Sequence, residues 1–344
     1  MEIIAEHCPT VSVVIDTYNY GRFIEEAIES VLDQTFPSKE IEIIVVDDGS
    51  IDDTPERVKK YGADIKYIYK ENGGQASAFN VGFEYARGQY VLPLDADDYY
   101  APDRIERVVE EFEKYPEVVL VFNLKTIVNG TRSYVEKNDE FHNLKLSWAT
   151  IGKFVKCGFS TGNCSFRKKA LQQVLPLPAE LRFHVDTYLP MLLLWFGSVS
   201  SLSKPLYYYR IHGQNLWYDS GERNLELRKS CLEQCIAHMK EKVRLLPGFD
   251  AKLLDALTSH CEVSLEEVVV ALKAKRHTIV RKDLIHLEAN RMKLMWDEWG
   301  WWYRCYKVLR FPIFSLFPPR TVLRIRAWYS RHQLYKVRRI FFPD

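Results

Sequence analysis

The sequence lacks the long apolar runs and the basic leader that mark membrane-spanning and secreted chains. Its longest apolar stretches, around residues 189–196 and 311–317, are too short or too interrupted by proline to cross a bilayer. The acidic start, MEIIAEHCPT, does not have the pattern of a signal peptide. We therefore expect a cytoplasmic protein without a transmembrane helix.

Paired cysteine motifs and an excess of one charge are also missing. Seven cysteines without a CxxC pair fit free thiols in a reducing compartment. Cys231 and Cys235, one helical turn apart, are interpreted as part of a helix face rather than as zinc ligands. The 47 basic and 46 acidic residues nearly cancel, so overall charge predicts neither a nucleic-acid-binding nor an acid-rich protein. Neither GxGxxG nor GxxxxGK[ST] occurs, which argues against dinucleotide oxidoreductases and P-loop phosphotransferases.

Apolar runs rich in β-branched residues alternate with helical patterns in the first part of the chain. Strands are predicted from Val11, from Ile41, around residues 65–70 and from Tyr90, with helices between them. Because parallel strands need crossover connections, this alternation predicts a mostly parallel sheet with helices on both faces. We predict an α/β domain over residues 1–220, a helical region over 221–299 and a basic, aromatic tail over 300–344.

Acidic residues follow three successive predicted strands, at the edge where such sheets bind ligands. They are Asp16, the pair Asp47 and Asp48, and Asp95 with Asp97 and Asp98. Turns favour Asp, so coincidence is an alternative.

Asp95 and Asp97 flank one alanine at a strand end, so both carboxylates can project to the same side. Hard oxygen ligands of this kind suit Mg²⁺ or Mn²⁺ and leave coordination positions for phosphate oxygens. The cation would bridge a diphosphate and neutralise charge on a departing nucleotide. The alternative is an acidic turn in which Asp98 is the N-cap of a helix.

Four segments occur in the order VSVVIDTYNYGRFIEEAIESVLDQTF, IEIIVVDDGSIDDT, ENGGQASAFNVGFEYARGQYVLPLDADD and YYAPDRI. Together they closely resemble the family-2 glycosyltransferases with a GT-A fold, over roughly residues 9–215. The resemblance implies an inverting, metal-dependent transfer from a nucleotide diphosphate sugar, most commonly a UDP-sugar, to an acceptor hydroxyl. The implied setting is polysaccharide, glycolipid or other cell-envelope glycan synthesis. A catalytically weak sugar-nucleotide-binding component of a membrane-surface assembly is the alternative.

The resemblance also implies residue roles on the donor side. Asp16, Tyr18 and Asp48 match positions that cradle the nucleotide base, although proline is commonest in the family where Asp16 stands. Gln75 and Asn80 match a segment beside the donor phosphates and sugar. Asp95 is expected to contact the nucleotide as well as the metal.

The resemblance assigns the catalytic base to an acid at the start of a helix. In FHVDTYLPMLLLWFG that acid is Asp186, with Val185 where the family usually has Glu. The alternative is that Asp186 only caps this helix. In LYYYRIHGQN, His212 could approach the diphosphate or the metal, and Arg210 could pair with phosphate.

The tail from residue 300 carries ten Lys or Arg residues against one acid, together with many aromatic side chains. This composition predicts peripheral attachment to the inner face of a membrane, where a lipid-linked acceptor could be presented. The alternative is that the tail packs on the helical region, and nucleic-acid binding is disfavoured.

Overall fold

The computed structural model describes residues 8–136, 139–157, 159–182, 184–213, 215, 221–246, 248–276, 278–279 and 281–295. The predicted tail over residues 300–344 lies outside them.

Ten strands and ten α-helices make up the described chain. The strands are β1 Val11–Thr17, β2 Ile41–Asp47, β3 Lys66–Tyr69, β4 Tyr90–Asp95, β5 Tyr99–Tyr100, β6 Val118–Asn129, β7 Arg132–Val135, β8 Phe141–Leu144, β9 Cys164–Arg167 and β10 Ser198–Ile211. The helices are α1 Gly21–Leu32, α2 Thr54–Lys59, α3 Gln75–Tyr85, α4 Arg104–Lys114, α5 Ile151–Lys156, α6 Lys168–Val174, α7 Val185–Leu193, α8 Glu222–Arg244, α9 Ala251–Lys275 and α10 Arg281–Met295.

The strands form one sheet in the order β3-β2-β1-β4-β9-β6-β10-β5, with β7 beside β6 and β8 beside β10. Strands β3, β2, β1 and β4 run parallel, as the alternation with helices predicts. Strand β9 is antiparallel to both β4 and β6, while β6 and β10 are again parallel. The α/β class is confirmed, and the antiparallel strands make the sheet mixed rather than mostly parallel.

Helices cover both faces of the sheet because the first strands are apolar on both sides. Phe79 of α3 and Leu189 of α7 belong to one buried cluster, together with Val14 of β1. Ile28 of α1 belongs to a second cluster, together with Ile15 of β1. All five side chains are fully buried. Since each truncation of such a side chain costs about 2–5 kcal/mol, this packing fixes the sheet edge where the acids lie.

The helical region divides between two compact units. The first unit contains the sheet together with Glu233–Thr258, and the second contains α8 up to Leu232 and the described residues between Ser259 and Met295. In the first unit, Cys235, Met239 and Val243 recur every fourth residue on one face of α8 and are buried in the core. No described helix combines the length and apolarity needed to cross a bilayer.

Candidate active site

The acids of the first and fourth strands meet at one point of the sheet edge. Asp16 near the end of β1 and Asp95 at the end of β4 are direct neighbours in the parallel register. The Ala96 N–H donates to the Asp16 carbonyl oxygen at 3.1 Å, so the chain leaves β4 alongside β1. Asp97 follows in this turn, and strand pairing therefore gathers acids that are far apart in sequence.

This crowding makes the carboxyl groups hard to ionise. Burial raises the pKa of Asp95 to about 7, and repulsion from Asp97 and then Asp186 adds to the increase. Burial, followed by repulsion from Asp95 and Asp97, holds the pKa of Asp16 well above its usual range. The Oδ1 atom of Asp16 is buried without a hydrogen-bond partner in the structure. A cation or a proton at this edge would relieve both the repulsion and the missing contact.

Asp97 is bound by side chains that follow β10. His212 Nε2 lies 2.8 Å from Asp97 Oδ2, and Asn215 Nδ2 donates to the same oxygen at 3.3 Å. The His212 ring packs against Phe23, with ring centroids 4.7 Å apart, and Arg22 Nη2 lies 3.1 Å from its Nδ1 atom. The structure thus brings His212 to the acid cluster, as expected from the closing segment of the domain.

Asp98 connects the acidic turn, residues 95–98, to β10 through two hydrogen bonds. The Tyr207 hydroxyl donates to Asp98 Oδ2, and the Arg210 N–H donates to Asp98 Oδ1 at 2.7 Å. Helix α4 begins only at Arg104, after Asp103, so Asp98 does not cap it. The Arg210 guanidinium donates to the Asp97 carbonyl oxygen and pairs with Glu26 at 2.6 Å. These contacts occupy the Arg210 side chain that was expected to pair with phosphate.

Asp48 holds the loop that precedes α3. Its carboxylate accepts the N–H of Gly74 at 2.7 Å and that of Gly73 at 3.0 Å, and pairs with Lys70 at 2.6 Å. Asp47 accepts the N–H of Ser50 at 2.7 Å, which closes the DDGS turn. Asp48 therefore lies just after β2, with its carboxylate already bonded within the protein.

The two amides predicted from the NGGQASAFN segment have different surroundings. Gln75 Nε2 donates to Asp95 Oδ1 at 2.9 Å, which places this side chain at the acid cluster. Asn80 instead donates to the Leu177 carbonyl oxygen at 2.9 Å and accepts the Leu177 N–H at 2.7 Å. Both ends of the Asn80 amide are thus bonded to the Leu177 backbone, away from the acid cluster that Gln75 contacts.

Asp186 lies in the first turn of α7, and the residue before the helix is His184 with φ of 72°. Asp186 is therefore not the N-cap, which was the alternative to a catalytic role. Burial raises its pKa to about 6, against the attraction of Lys125. Since repulsion from Asp186 also acts on Asp95, the two carboxylates share one electrostatic environment.

Tyr18 follows β1 and is 46% exposed, so part of its ring is accessible at the carboxyl end of this strand. The loop that carries it is fixed by Asn19, whose N–H donates to Ser50 Oγ at 2.8 Å and whose Oδ1 accepts the Ile51 N–H at 2.8 Å. Strand ends β1 and β2 are thereby tied together beneath the ring.

The residues at this edge fit a divalent cation. Asp95 and Asp97 supply hard oxygen atoms, and His212 Nε2 is in contact with Asp97. Within the described chain, no three His, Cys, Asp or Glu side chains already form a metal-binding group.

Sequence reasoning missed the roles of Asp98, Tyr207 and Lys125. The sequence does show an acid following DAD and a Tyr-rich strand, but only strand pairing reveals that Tyr207 and Asp98 meet. Lys125 lies in β6, and only the fold brings its charge close enough to Asp186 to lower the pKa of that carboxyl group.

Comparison with known proteins gives a consistent result. The family described as glycosyl transferase family 2 matches residues 12–175. An uncharacterised glycosyltransferase from Nostoc sp. is 35% identical over 215 residues, which are 60% of this chain and 66% of that protein. Chondroitin synthase from Pasteurella multocida is 30% identical over 227 residues, 64% of this chain and 22% of that protein. The chain thus spans just under two thirds of the first relative and about a fifth of the second.

Two solved structures share the fold. S. aureus TarS 1–349 in complex with UDP-GlcNAc superimposes with a TM-score of 0.60 at 21% identity, covering 83% of this chain and 88% of that one. The mannosyltransferase PcManGT from Pyrobaculum calidifontis, in complex with GDP-Man and Mn²⁺, has a TM-score of 0.52 at 18% identity. The match covers 91% of this chain and 88% of that one. These likenesses establish the GT-A architecture.

Proposed function

Because this chain belongs to the family-2 glycosyltransferases, we propose that it transfers a sugar from a UDP-sugar donor to an acceptor hydroxyl with inversion. The observation that carries the proposal is that Asp97, in the turn after β4, and Asp186, in the first turn of α7, both lie close enough to Asp95 for their charges to act on it. The UDP-GlcNAc bound by TarS supports a nucleotide diphosphate sugar as donor. The chondroitin synthase relative supports a glycan acceptor in polysaccharide, glycolipid or other cell-envelope synthesis.

Asp95, Asp97 and His212 would hold the Mn²⁺ or Mg²⁺ ion. When bound, the ion neutralises charge on the departing diphosphate. Gln75, bonded to Asp95, keeps one carboxylate oxygen in place. Asp98, Tyr207 and the acidic turn form the support that keeps Asp97 at the same edge. The Mn²⁺ ion in the PcManGT structure supports this choice of cofactor.

Asp186 acts as the general base. It takes the proton of the acceptor hydroxyl while the oxygen bonds to the anomeric carbon and the bond to the diphosphate oxygen breaks. Its pKa of about 6 leaves it ionised at neutral pH, yet makes it a better proton acceptor than an ordinary Asp. Tyr18 would stack on the nucleotide's base. Asp16 and Asp48, at the ends of the neighbouring strands β1 and β2, would lie beside that nucleotide base.

The test is a screen of UDP-sugars and acceptor glycans with and without Mn²⁺, measured as UDP release and product formation. We expect Mn²⁺-dependent turnover that falls at least about 100-fold in Asp186→Asn, with unchanged UDP affinity. Asp64→Asn, at an exposed position away from this edge, is the matched control and should behave as wild type. UDP binding without turnover for every donor and acceptor would favour the sugar-nucleotide-binding component instead.

A further inference from the structure

The segment at Leu181 and Arg182, which precedes α7, lies directly on the loop formed by residues 72–74. Gly74 has φ of +85°, and a Cβ atom there would lie 2.9 Å from Arg182 Cα. The Gln75 N–H donates to the Arg182 carbonyl oxygen at 2.9 Å, and the Ala76 N–H donates to that of Leu181 at 3.3 Å. Backbone contacts therefore hold Arg182 over this loop, independently of the conformation of its side chain.

Four successive N–H groups, those of residues 73–76 at the end of this loop and the start of α3, are already bonded. Those of Gly73 and Gly74 donate to Asp48, and those of Gln75 and Ala76 donate to carbonyl oxygens. In loops that bind phosphate through the backbone, such N–H groups point at the anion. An anionic group brought to the 72–74 loop consequently needs donors from side chains.

Two cationic side chains border the loop, and they differ in how they are bonded. Lys70 Nζ lies 2.6 Å from Asp48 Oδ1 and 2.5 Å from the Glu71 carbonyl oxygen, so its charge is paired. Arg182 Nη2 donates at 2.6 Å to Asn72 Oδ1, a neutral amide oxygen. Among the described residues, no carboxylate forms an ion pair with Arg182. Most of its five N–H donors thus remain for a planar anion.

We propose that Arg182 is a donor-binding residue, whose guanidinium holds an anionic oxygen group of the sugar nucleotide over the 72–74 loop. The group is either the diphosphate or the carboxylate of a uronic acid sugar, since both offer the paired oxygens that the guanidinium fork recognises. Asn72 is the positioning residue that orients the fork. The inference rests on the proposed function and names a further contact of the same site.

The experiment is calorimetric titration of the full chain with Mn²⁺ and each of UDP, UDP-glucose and UDP-glucuronic acid. Arg182→Gln is compared with wild type, with Arg182→Lys and with Arg107→Gln, an arginine on the exposed side of α4. Arg182→Gln should weaken binding about tenfold or more, because charged hydrogen bonds are lost. The affinity of Arg182→Lys should lie between those of wild type and Arg182→Gln, since lysine keeps the charge but not the planar fork. The affinity of Arg107→Gln should equal that of wild type.

The pattern of losses identifies the anion. Equal weakening for all three ligands assigns the diphosphate, while weakening for UDP-glucuronic acid alone assigns the carboxylate, and both support the proposal. Unchanged affinities of a folded Arg182→Gln variant for all three would overturn it while leaving the glycosyltransferase proposal intact. If wild type binds none of the three, the proposed function itself fails. Thermal unfolding of each variant confirms that it is folded, and the exposed Arg182 side chain is not needed for its backbone contacts.

Discussion

Asp16 and Asp95 are direct neighbours on the parallel strands β1 and β4, with one carboxylate oxygen of Asp16 buried and unpartnered. Two such carboxylates can both ionise only at a cost, unless a cation lies between or beside them. The pair makes the metal-free protein sensitive to pH.

Asp16→Asn should therefore stabilise the metal-free protein at pH 8. The folded-state pKa of Asp16 is raised, so wild type loses stability as pH rises above the ordinary range of an Asp, and the variant, which lacks this one ionisation, loses less. Thermal unfolding in EDTA measures the effect, with Asp64→Asn as control. The gain should vanish near pH 4, where Asp16 is protonated, and an equal gain at both pH values would contradict this explanation.

Transfer should depend on pH through Asp186. The base must be ionised, so at saturating donor and acceptor kcat should rise about tenfold per pH unit below about 6 and level off above it. Steady-state rates between pH 5 and 8 at fixed Mn²⁺ check this. A rate that stays constant from pH 5 to 7 would exclude Asp186 as the base with the raised pKa.

Tyr18→Ala should weaken UDP binding without affecting folding. Loss of a stacking face costs about 0.5–1.5 kcal/mol, or about two- to tenfold in Kd. Tyr134→Ala removes an equally exposed ring from β7 and serves as the matched control. Identical UDP affinities for the two variants would mean that the uracil base does not stack on Tyr18.

Asn80→Ala should lower stability and leave UDP affinity unchanged. The substitution removes both partners of the Leu177 backbone groups, at a cost of about 1–3 kcal/mol. Urea denaturation together with UDP titration separates the two effects. Weaker UDP binding at unchanged stability would instead support the donor contact suggested by the sequence.

The sequence was sufficient where a residue's role follows from its position in a strand or motif. The acids at strand ends could be anticipated because parallel strands deliver their carboxyl ends to one edge. The order of motifs led to Asp186, whose charge acts on Asp95, and the segment that closes the domain led to His212, which contacts Asp97. Each of these depends on local pattern plus one topological rule.

Contacts between distant surfaces could not be predicted in this way. Asn80 lies on a helix beside the donor segment, but its amide faces Leu177, which is 97 residues away. The meeting of Tyr207 with Asp98 depends on β10 lying beside β5, and no periodicity encodes that pairing. Likewise, the antiparallel strand β9 between β4 and β6 interrupts a sheet that the alternation pattern predicts to be parallel.

The central claim is that carboxylates from separate stretches surround one cation and one diphosphate. A crystal structure with UDP and Mn²⁺, with the ion located by its anomalous signal, measures this directly. We predict a single strong peak beside Asp95 and Asp97, with the diphosphate bound to it, the base against Tyr18, and Asp186 facing the open acceptor side. A peak elsewhere, or UDP bound away from the ends of β1 and β4, would contradict the assignment.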